Sequence, residues 1–391
     1  MMRSAKRPIY MDYQASTPVD PRVSGAMEPF LFDHPGNPHS SDHSFGWEAN
    51  TAVENALRQI AAGIGADPDE IIFTSGATEA NNLAILGAVA RGGQKRRRIL
   101  VSAVEHKCVL SAARASADRL GFTIDQVPVD RDGTIRLDSL RDRLHDDVLL
   151  VSAMAVNNEI GTIQPVADIS SMCHEVGALV HVDAAQALTA GSLDVHHLNI
   201  ELLTLSAHKI YGPKGIGALF IRRDAQRKIE PLIYGGGQQG GLRGGTLPVP
   251  LCVGFGQAVA LMAADEAEDE RSRVRGLRDR LISGICDIDR NIRINGPTGF
   301  SRHPGNANLR FPGIDAHDLL MALQPRLAAA TASACTSGTP DPSHVLRAIG
   351  LTNPEALSSV RFGVGRFTEQ TEVDEALTIL REELPRIAAR A

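Results

Sequence analysis

Residues 202–217 read Leu-Leu-Thr-Leu-Ser-Ala-His-Lys-Ile-Tyr-Gly-Pro-Lys-Gly-Ile-Gly, an apolar run that leads into a lysine and a loop with three glycines. The apolar run has the length and composition of a buried strand, so Lys209 lies just beyond a strand's carboxyl end. A structural lysine normally lies on a solvated face, whereas a lysine in this place can form a Schiff base with an aldehyde cofactor. Both interpretations are open on these residues alone.

The surrounding sequence alternates strand-like and helix-like segments. Helical patterns at Glu79–Ala90, Val109–Leu120 and Val166–Val176 separate the apolar runs. This α/β rhythm predicts a mostly parallel sheet covered by helices on both faces, with its ligand outside the carboxyl ends of the strands. The predicted strands are Glu70–Thr74, Arg98–Ser102, Leu149–Met154, Leu179–Asp183 and Leu202–Ser206.

With 391 residues the chain is long enough for two domains. We predict a large domain over 14–260 and a smaller α+β domain formed by 1–13 and 261–391. A single helix-like stretch over about 251–285 marks the passage between them, and a breaker-rich loop at about 328–341 belongs to the smaller one. The smaller domain's strands are predicted at Ile9–Asp12, Ala307–Phe311 and Ser359–Gly363.

Bulk composition excludes several classes of protein. The chain is 43% hydrophobic and 22% charged, and no segment has the roughly 20 apolar residues that cross a bilayer. A net charge of -6 argues against direct nucleic-acid binding, and the five scattered cysteines lack the spacing of a disulfide framework or zinc site. We expect a cytoplasmic protein without membrane insertion. The run 95–98, Lys-Arg-Arg-Arg, is expected to be a solvated loop, with contact to a polyanion as the alternative.

Two further segments carry possible site residues. Residues 74–79, Thr-Ser-Gly-Ala-Thr-Glu, form a strand-to-helix turn whose backbone N–H groups could hold a phosphate, or Ser75 or Thr78 could simply cap the helix. Asp183 ends an apolar strand, where a buried carboxylate needs a partner such as a pyridinium nitrogen. An aspartate in this place can equally be a cap or a metal ligand.

Cys335 lies among small and polar residues, as in a mobile catalytic loop. Such a cysteine can also be inert, because reactivity requires a lowered thiol pKa. The histidines and aspartate at 34–43 could suggest a metal cluster, and residues 130–133 could suggest a calcium loop. The spacing of residues 130–133 fits a plain turn better, and we predict no metal site at either segment.

Taken together, the segments resemble the NifS/IscS-like cysteine desulfurases, which are fold-type I pyridoxal 5′-phosphate (PLP) enzymes of the class V aminotransferase family. The resemblance rests on the order and spacing of the segments above and extends over nearly the whole chain. It includes further motifs at 10–13 (Tyr-Met-Asp-Tyr), 36–38 (Gly-Asn-Pro), 104–107 (Val-Glu-His-Lys), 157–161 (Asn-Asn-Glu-Ile-Gly), 243–248 (Arg-Gly-Gly-Thr-Leu-Pro), 333–337 (Ser-Ala-Cys-Thr-Ser) and 361–362 (Arg-Phe).

The resemblance implies a role for each matching residue. Lys209 would carry the cofactor and Asp183 would pair with its pyridine nitrogen. His106 would stack on the ring and assist proton transfer, and Gln186 would contact the ring hydroxyl. Cys335 would accept the substrate's sulfur. The phosphate would lie among Ala77, Thr78, Ser206 and His208, with Thr246 from a second subunit, and the substrate would be held by Asn37, Asn158 and Arg361.

The implied activity is removal of sulfur from L-cysteine, giving L-alanine and a persulfide on Cys335 for an acceptor protein. The implied assembly is a homodimer. Alternatives are a selenocysteine lyase, another PLP lyase, or a non-catalytic scaffold in a sulfur pathway. Residues 238–240, Gln-Gln-Gly, and Ala332 depart from the housekeeping members of the family. Two uses of the transferred sulfur therefore remain possible: iron-sulfur cluster assembly, or thiolation of a nucleic acid or cofactor.

Overall fold

A computed structural model describes residues 7–92, 95–331 and 342–388. Its strands are β1 (Ile9–Tyr10), β2 (Ile71–Thr74), β3 (Arg98–Ser102), β4 (Thr123–Val127), β5 (Val148–Ser152), β6 (Leu179–Asp183), β7 (Leu202–Ser206), β8 (Gly217–Ile221), β9 (Arg293–Ile294), β10 (Asn306–Arg310), β11 (Leu327–Ala328), β12 (Ala330–Thr331) and β13 (Ser359–Gly363).

The α-helices of the described residues alternate with these strands. They are α1 (Pro21–Phe32), α2 (Ser44–Ile64), α3 (Ala77–Arg91), α4 (Lys107–Leu120), α5 (Leu137–Arg141), α6 (Val166–Glu175), α7 (Val249–Ala263), α8 (Glu266–Ile288), α9 (Ala316–Leu323), α10 (His344–Ala348), α11 (Asn353–Leu357) and α12 (Gln370–Ala388).

The main sheet has seven strands in the order β2-β8-β7-β6-β5-β3-β4. Strands β4, β3, β5, β6 and β7 pair in parallel, whereas β8 is antiparallel to both of its neighbours. The predicted α/β fold with a mostly parallel sheet is confirmed. Three of its strands have the predicted bounds, and β8 was not predicted.

Both faces of this sheet are buried. Along β7, Leu203 and Leu205 belong to a core shared with α2, α6 and α7, while Leu202 belongs to a second core shared with α3 and α4. Alternate side chains of a strand point to opposite faces, so a strand covered on both sides is apolar at consecutive positions. This explains why the strands appear in the sequence as continuous apolar runs.

A separate core lies around the four-stranded sheet β12-β13-β10-β9. Its members are Ile9 and Met11 near the N-terminus together with apolar residues between Val274 and Ile387, whereas Tyr13 already belongs to the core of the main sheet. The sheet is antiparallel and is packed against α8 and α9, and α12 packs against these two helices. The domain boundaries at 14–260 and 261–391 stay a prediction.

The prediction of a single helix over 251–285 is wrong, because this stretch forms two helices, α7 and α8, which meet at a bend of 78°. The apolar α7 packs against α1 and α2 beside the main sheet, whereas α8 packs against α12 in the other core. The chain turns at Ala264, whose ψ of 155° is extended. Among the described residues no single helix is long and apolar enough to cross a membrane, and only this bent pair, taken together, meets that test.

The arginines of the run 95–98 are engaged within the fold. Arg96 donates to the carbonyl oxygens of Val148 and Val176 at 2.6 and 2.7 Å, and the guanidinium of Arg97 lies 5.3 Å from the centre of the Phe122 ring. Arg98 pairs with Asp125 at 2.8 Å. We had expected these arginines to lie in a solvated loop. Their contacts instead join neighbouring strands and helix ends, so they have a structural role.

Gly217, the first residue of β8, allows close packing beside the turn at Gly76. A Cβ at this position would lie 2.6 Å from the Leu205 carbonyl oxygen and 2.8 Å from Gly76 Cα. We expect Gly217→Ala to destabilise the fold by about 1–3 kcal/mol through overpacking. Thermal unfolding measures this change.

The matched control is Gly276→Ala, where no atom lies within 4 Å of the added Cβ. Alanine in the middle of α8 should stabilise the protein by about 0.4–1 kcal/mol. A Gly217→Ala midpoint at or above that of the wild type would contradict the packing argument.

Candidate active site

The carboxyl ends of β5, β6 and β7 open onto a cavity of about 540 Å³. The turn before α3, the start of α4 and the middle of β13 complete its wall. The cavity brings together most of the residues predicted for the site. They are Ala77, Thr78, His106, Asn158, Asp183, Gln186, Ser206, His208, Lys209 and Arg361.

The remaining predicted residues are not part of this cavity. Asn37 is exposed, and its side-chain oxygen accepts a hydrogen bond from the backbone of His39 at 3.0 Å. Thr246 is also exposed. Cys335 lies outside the described residues.

Lys209 lies in a short 3₁₀ turn directly after β7. Its ammonium nitrogen donates to the carbonyl oxygens of Gln14 and Ala15 at 2.6 and 2.9 Å. These acceptors belong to the segment that follows β1, nearly 200 residues away in the sequence. The lysine side chain is therefore held at the wall of the cavity by the N-terminal part of the chain.

The start of α3 presents uncapped backbone N–H groups to the cavity. Neither Ser75 nor Thr78 caps this helix, because its N-cap is Gly76, with φ 149° and ψ -179°. No atom lies within 4 Å of the position where a Cβ of Gly76 would be. A helix start of this kind, with uncapped N–H groups and open space in front of them, favours the binding of an anion.

Two side chains at the carboxyl end of β7 line the same cavity. The Ser206 hydroxyl is buried, with no hydrogen-bond partner among the described residues. His208 contacts the Ser16 hydroxyl through Nδ1 at 3.1 Å. Burial, reinforced by the cations of Lys209 and Lys214, lowers the pKa of His208 to about 4, so its imidazole is neutral at pH 7.

Asp183, the last residue of β6, is buried with both carboxylate oxygens held from the protein side. One oxygen accepts from the backbone N–H of Ala185 at 3.0 Å and the other from the side-chain amide of Asn81 at 2.8 Å. Gln186, one turn further on, donates to the Gln14 carbonyl oxygen at 2.8 Å. Asn81 had no place in the sequence prediction.

His106 and Glu105 enter the cavity from the start of α4. Burial lowers the pKa of His106, so the neutral imidazole is favoured. Burial, together with the nearby charge of Asp183, raises the pKa of Glu105 well above its usual value. One Glu105 oxygen accepts from the backbone of Met154 at 2.5 Å, and the other has no partner among the described residues. Burial therefore favours the protonated form of this carboxyl group at the border of the site.

Arg361 approaches the cavity from β13. Its guanidinium donates to Asp12 at 2.7 Å and to the Asn158 carbonyl oxygen at 3.1 Å, and its Nε has no partner among the described residues. Asp12 was missed as a site residue, although it lies in the matched motif 10–13. Its partner is 349 positions away in the sequence, and no local pattern indicates such a contact.

The metal-like sequence patterns have other contacts in the structure. His34 pairs with Glu48 at 2.9 Å, and Asp130 accepts the backbone N–H groups of Asp132 and Thr134 within its own turn, both at 2.9 Å. In the part of the chain that the structure describes, no three His, Cys, Asp or Glu side chains are grouped as metal ligands.

Comparison with known proteins gives a consistent assignment. The family model for aminotransferase class-V matches residues 9–376. Over 386 residues the chain is 46% identical to a relative from Rickettsia typhi named cysteine desulfurase IscS, covering 99% of this chain and 93% of the relative. A solved NifS-like protein matches with a TM-score of 0.90 and 34% identity, covering 97% of this chain and all (100%) of that one.

A structure described as SspA in complex with cysteine is also similar. Its TM-score is 0.79 at 34% identity, and the match covers 93% of this chain and 100% of SspA. The family match includes every described residue that lines the cavity. The chain therefore belongs to the class-V aminotransferase family of PLP-dependent enzymes, among its NifS/IscS-like cysteine desulfurases.

Proposed function

We propose that this cavity removes sulfur from L-cysteine, leaving L-alanine and a persulfide on Cys335 that an acceptor protein then receives. The observation that carries the proposal is the convergence of Lys209, Asp183, His106 and Arg361 on one cavity at the carboxyl edge of the sheet. A scaffold without chemistry has no need for this combination. The names of the relatives favour cysteine over other substrates of PLP lyases.

The residues present fit PLP. The uncapped start of α3, the open space beside Gly76 and the unpartnered Ser206 hydroxyl match the needs of a phosphate group. Ala77, Thr78, Ser206 and His208 would hold this group, joined by Thr246 of a second copy. Asp183 would pair with the pyridine nitrogen, Gln186 with the ring hydroxyl, His106 would cover the ring face, and Lys209 would bind the cofactor covalently. PLP, when bound, supplies an electron sink for the bonds at the substrate's Cα.

The substrate carboxylate would bind at Arg361 and Asn158. A guanidinium recognises a carboxylate through two parallel N–H groups, and this requires a fixed orientation of its plane. Asp12 and the Asn158 carbonyl oxygen provide that orientation by holding two different nitrogens of Arg361. Asn37 stays a prediction as a third contact.

Proton transfer at the substrate's Cα would be the task of Lys209. Its amine nitrogen is at the wall of the cavity, where it donates hydrogen bonds to two carbonyl oxygens that fix its direction. A general base must first be within reach of the proton that it moves, and this position meets that condition. His106 would supply a proton to the product.

Sulfur transfer would use the thiolate of Cys335 as a nucleophile. A bond forms between Cys335 Sγ and the substrate sulfur while the substrate's Cβ–S bond breaks. The electron pair of that bond goes to the amino acid, which takes up protons to become alanine. Cysteine and a thiol thus give alanine and a persulfide without an external oxidant.

The assembly that we propose is a cytoplasmic homodimer with composite sites. Several large apolar side chains are exposed in the single chain, among them Phe32 (77% exposed), Trp47 (59%) and Tyr234 (75%). Apolar exposure of this kind is typical of an interaction surface. The acceptor would serve iron-sulfur cluster assembly or the thiolation of a nucleic acid or cofactor.

Replacing Cys335 tests the proposed activity. We expect the purified Cys335→Ser holoenzyme to keep its visible cofactor absorption, because this residue does not hold PLP. It should form neither a protein persulfide nor alanine above the rate without enzyme. Alanine is quantified by amino-acid analysis and the persulfide by intact mass.

The control is Cys286→Ser, a half-exposed cysteine in α8 that does not line the cavity. It should turn over cysteine like the wild type. Full turnover by Cys335→Ser would show that another nucleophile or another reaction operates.

Asp12→Asn tests the orientation of Arg361. Asparagine keeps the size of the side chain but removes the charge, and a hydrogen bond between charged groups contributes roughly 1.5–3 kcal/mol. We expect KM for cysteine to rise by about tenfold or more, with a smaller change in kcat. Asp138→Asn, at an exposed pair with Arg136, serves as the control. An unchanged or lower KM in Asp12→Asn would contradict this role.

A further inference from the structure

Asn81 in α3 is completely buried and faces two polar groups at once. Its side-chain nitrogen lies 2.8 Å from Asp183 Oδ2 and 3.2 Å from Cys108 Sγ. A primary amide has two N–H donors, so each of these acceptors can receive one. The reverse orientation of the amide would place its oxygen against the Asp183 carboxylate, which is repulsive. The orientation with nitrogen toward Asp183 is therefore the favourable one.

Cys108 continues this contact toward His106. Its sulfur lies 2.9 Å from His106 Nδ1, and its backbone N–H donates to the same Nδ1 at 3.2 Å. Burial raises the pKa of Cys108 to about 11, so the thiol proton is present at pH 7. Because the backbone N–H can only donate, Nδ1 acts as an acceptor and the ring's proton is on Nε2, which leaves the thiol to donate to Nδ1 as well.

We propose that Asn81 and Cys108 are positioning residues that join Asp183 and His106 through one chain of hydrogen bonds. Asn81 fixes the direction of the Asp183 carboxylate, and Cys108 fixes the tautomer of His106. The chain runs from Asp183 through the Asn81 amide and the Cys108 thiol to His106 Nδ1. This inference rests on the proposed function, since it concerns the groups that would contact PLP.

The chain of hydrogen bonds would prepare the site before the cofactor binds. Asp183 has both oxygens held, so a pyridine nitrogen would meet a carboxylate that is already oriented. His106 would present an N–H at Nε2, the nitrogen that Cys108 does not contact. The side-chain oxygen of Asn81 is buried and has no partner within the described part of the chain, which is costly. A residue that only filled space in α3 would more simply be apolar, like its neighbours Ala80 and Leu83.

The experiment compares Cys108→Ala with Cys108→Ser, with Cys286→Ala as the control cysteine. Serine restores a hydroxyl that can accept from Asn81 and donate to His106, whereas alanine can do neither. We expect Cys108→Ala to lose roughly three- to twelvefold in kcat, the factor that corresponds to one neutral hydrogen bond. Cys108→Ser should recover most of this loss, and Cys286→Ala should match the wild type.

Two readouts separate this role from a purely structural one. In apoprotein labelled with ¹⁵N-histidine, the wild type should show His106 as the neutral Nε2–H tautomer, and Cys108→Ala should shift the His106 Nδ1 resonance. When PLP is added back to the apoprotein, Asn81→Ala should bind it on the order of ten- to hundredfold more weakly than the wild type, since a hydrogen bond to a charged group is lost. The dissociation constant of added PLP is followed by its absorption.

An Nδ1–H tautomer in the wild type would overturn the proposal. So would a serine variant as defective as the alanine variant, or an alanine variant with wild-type kcat and an unshifted resonance. If Asn81→Ala does not fold, the comparison of Cys108→Ala with Cys108→Ser tests the proposal by itself. If the wild type forms no alanine from cysteine, the proposed function fails, while the tautomer and the PLP affinity still test the positioning chain.

Discussion

The hydrogen bonds from Lys209 to the Gln14 and Ala15 carbonyl oxygens are the constraint on which the site depends. They hold this lysine against a segment that begins in the core of the four-stranded sheet and ends in that of the main sheet. Residues 12–17 make further contacts of this kind. Asp12 holds Arg361, the Gln14 carbonyl oxygen also accepts from Gln186, and Thr17 Oγ1 donates to the His208 carbonyl oxygen at 3.0 Å. One short segment thus sets the positions of groups from both the main sheet and the four-stranded sheet.

Buried charge explains why so many contacts converge at this edge of the sheet. An isolated carboxylate or guanidinium is costly to remove from water, so each one in the cavity wall must be paired or hydrogen-bonded. Asp183 and Arg361 meet this requirement with protein groups that leave one side of each open to the cavity. Glu105 meets it differently, because burial raises its pKa and favours the neutral acid. The site is therefore organised before any ligand enters.

The sequence predicted the elements whose signals are local. Strands β3, β6 and β7 were found because burial on both faces makes them continuous apolar runs, and the residues at their carboxyl ends followed from parallel-sheet geometry. Asn81 and Asp12 were missed because their partners lie 102 and 349 positions away. The bend between α7 and α8 was missed because the two helices pack in different cores, and a local sequence pattern does not indicate in which core a helix packs. The resemblance to a family supplied the roles that geometry alone leaves open.

The position of PLP on Lys209 is the property from which every other proposed role follows. Borohydride reduction of the holoenzyme makes the bond between cofactor and lysine permanent, and mass mapping of peptides then locates it. We expect one cofactor-derived mass on the peptide that contains Lys209. The cavity wall also contains Lys107 and Lys214, and a label on either of these, or on no lysine, would rule out Lys209 as the residue that holds PLP.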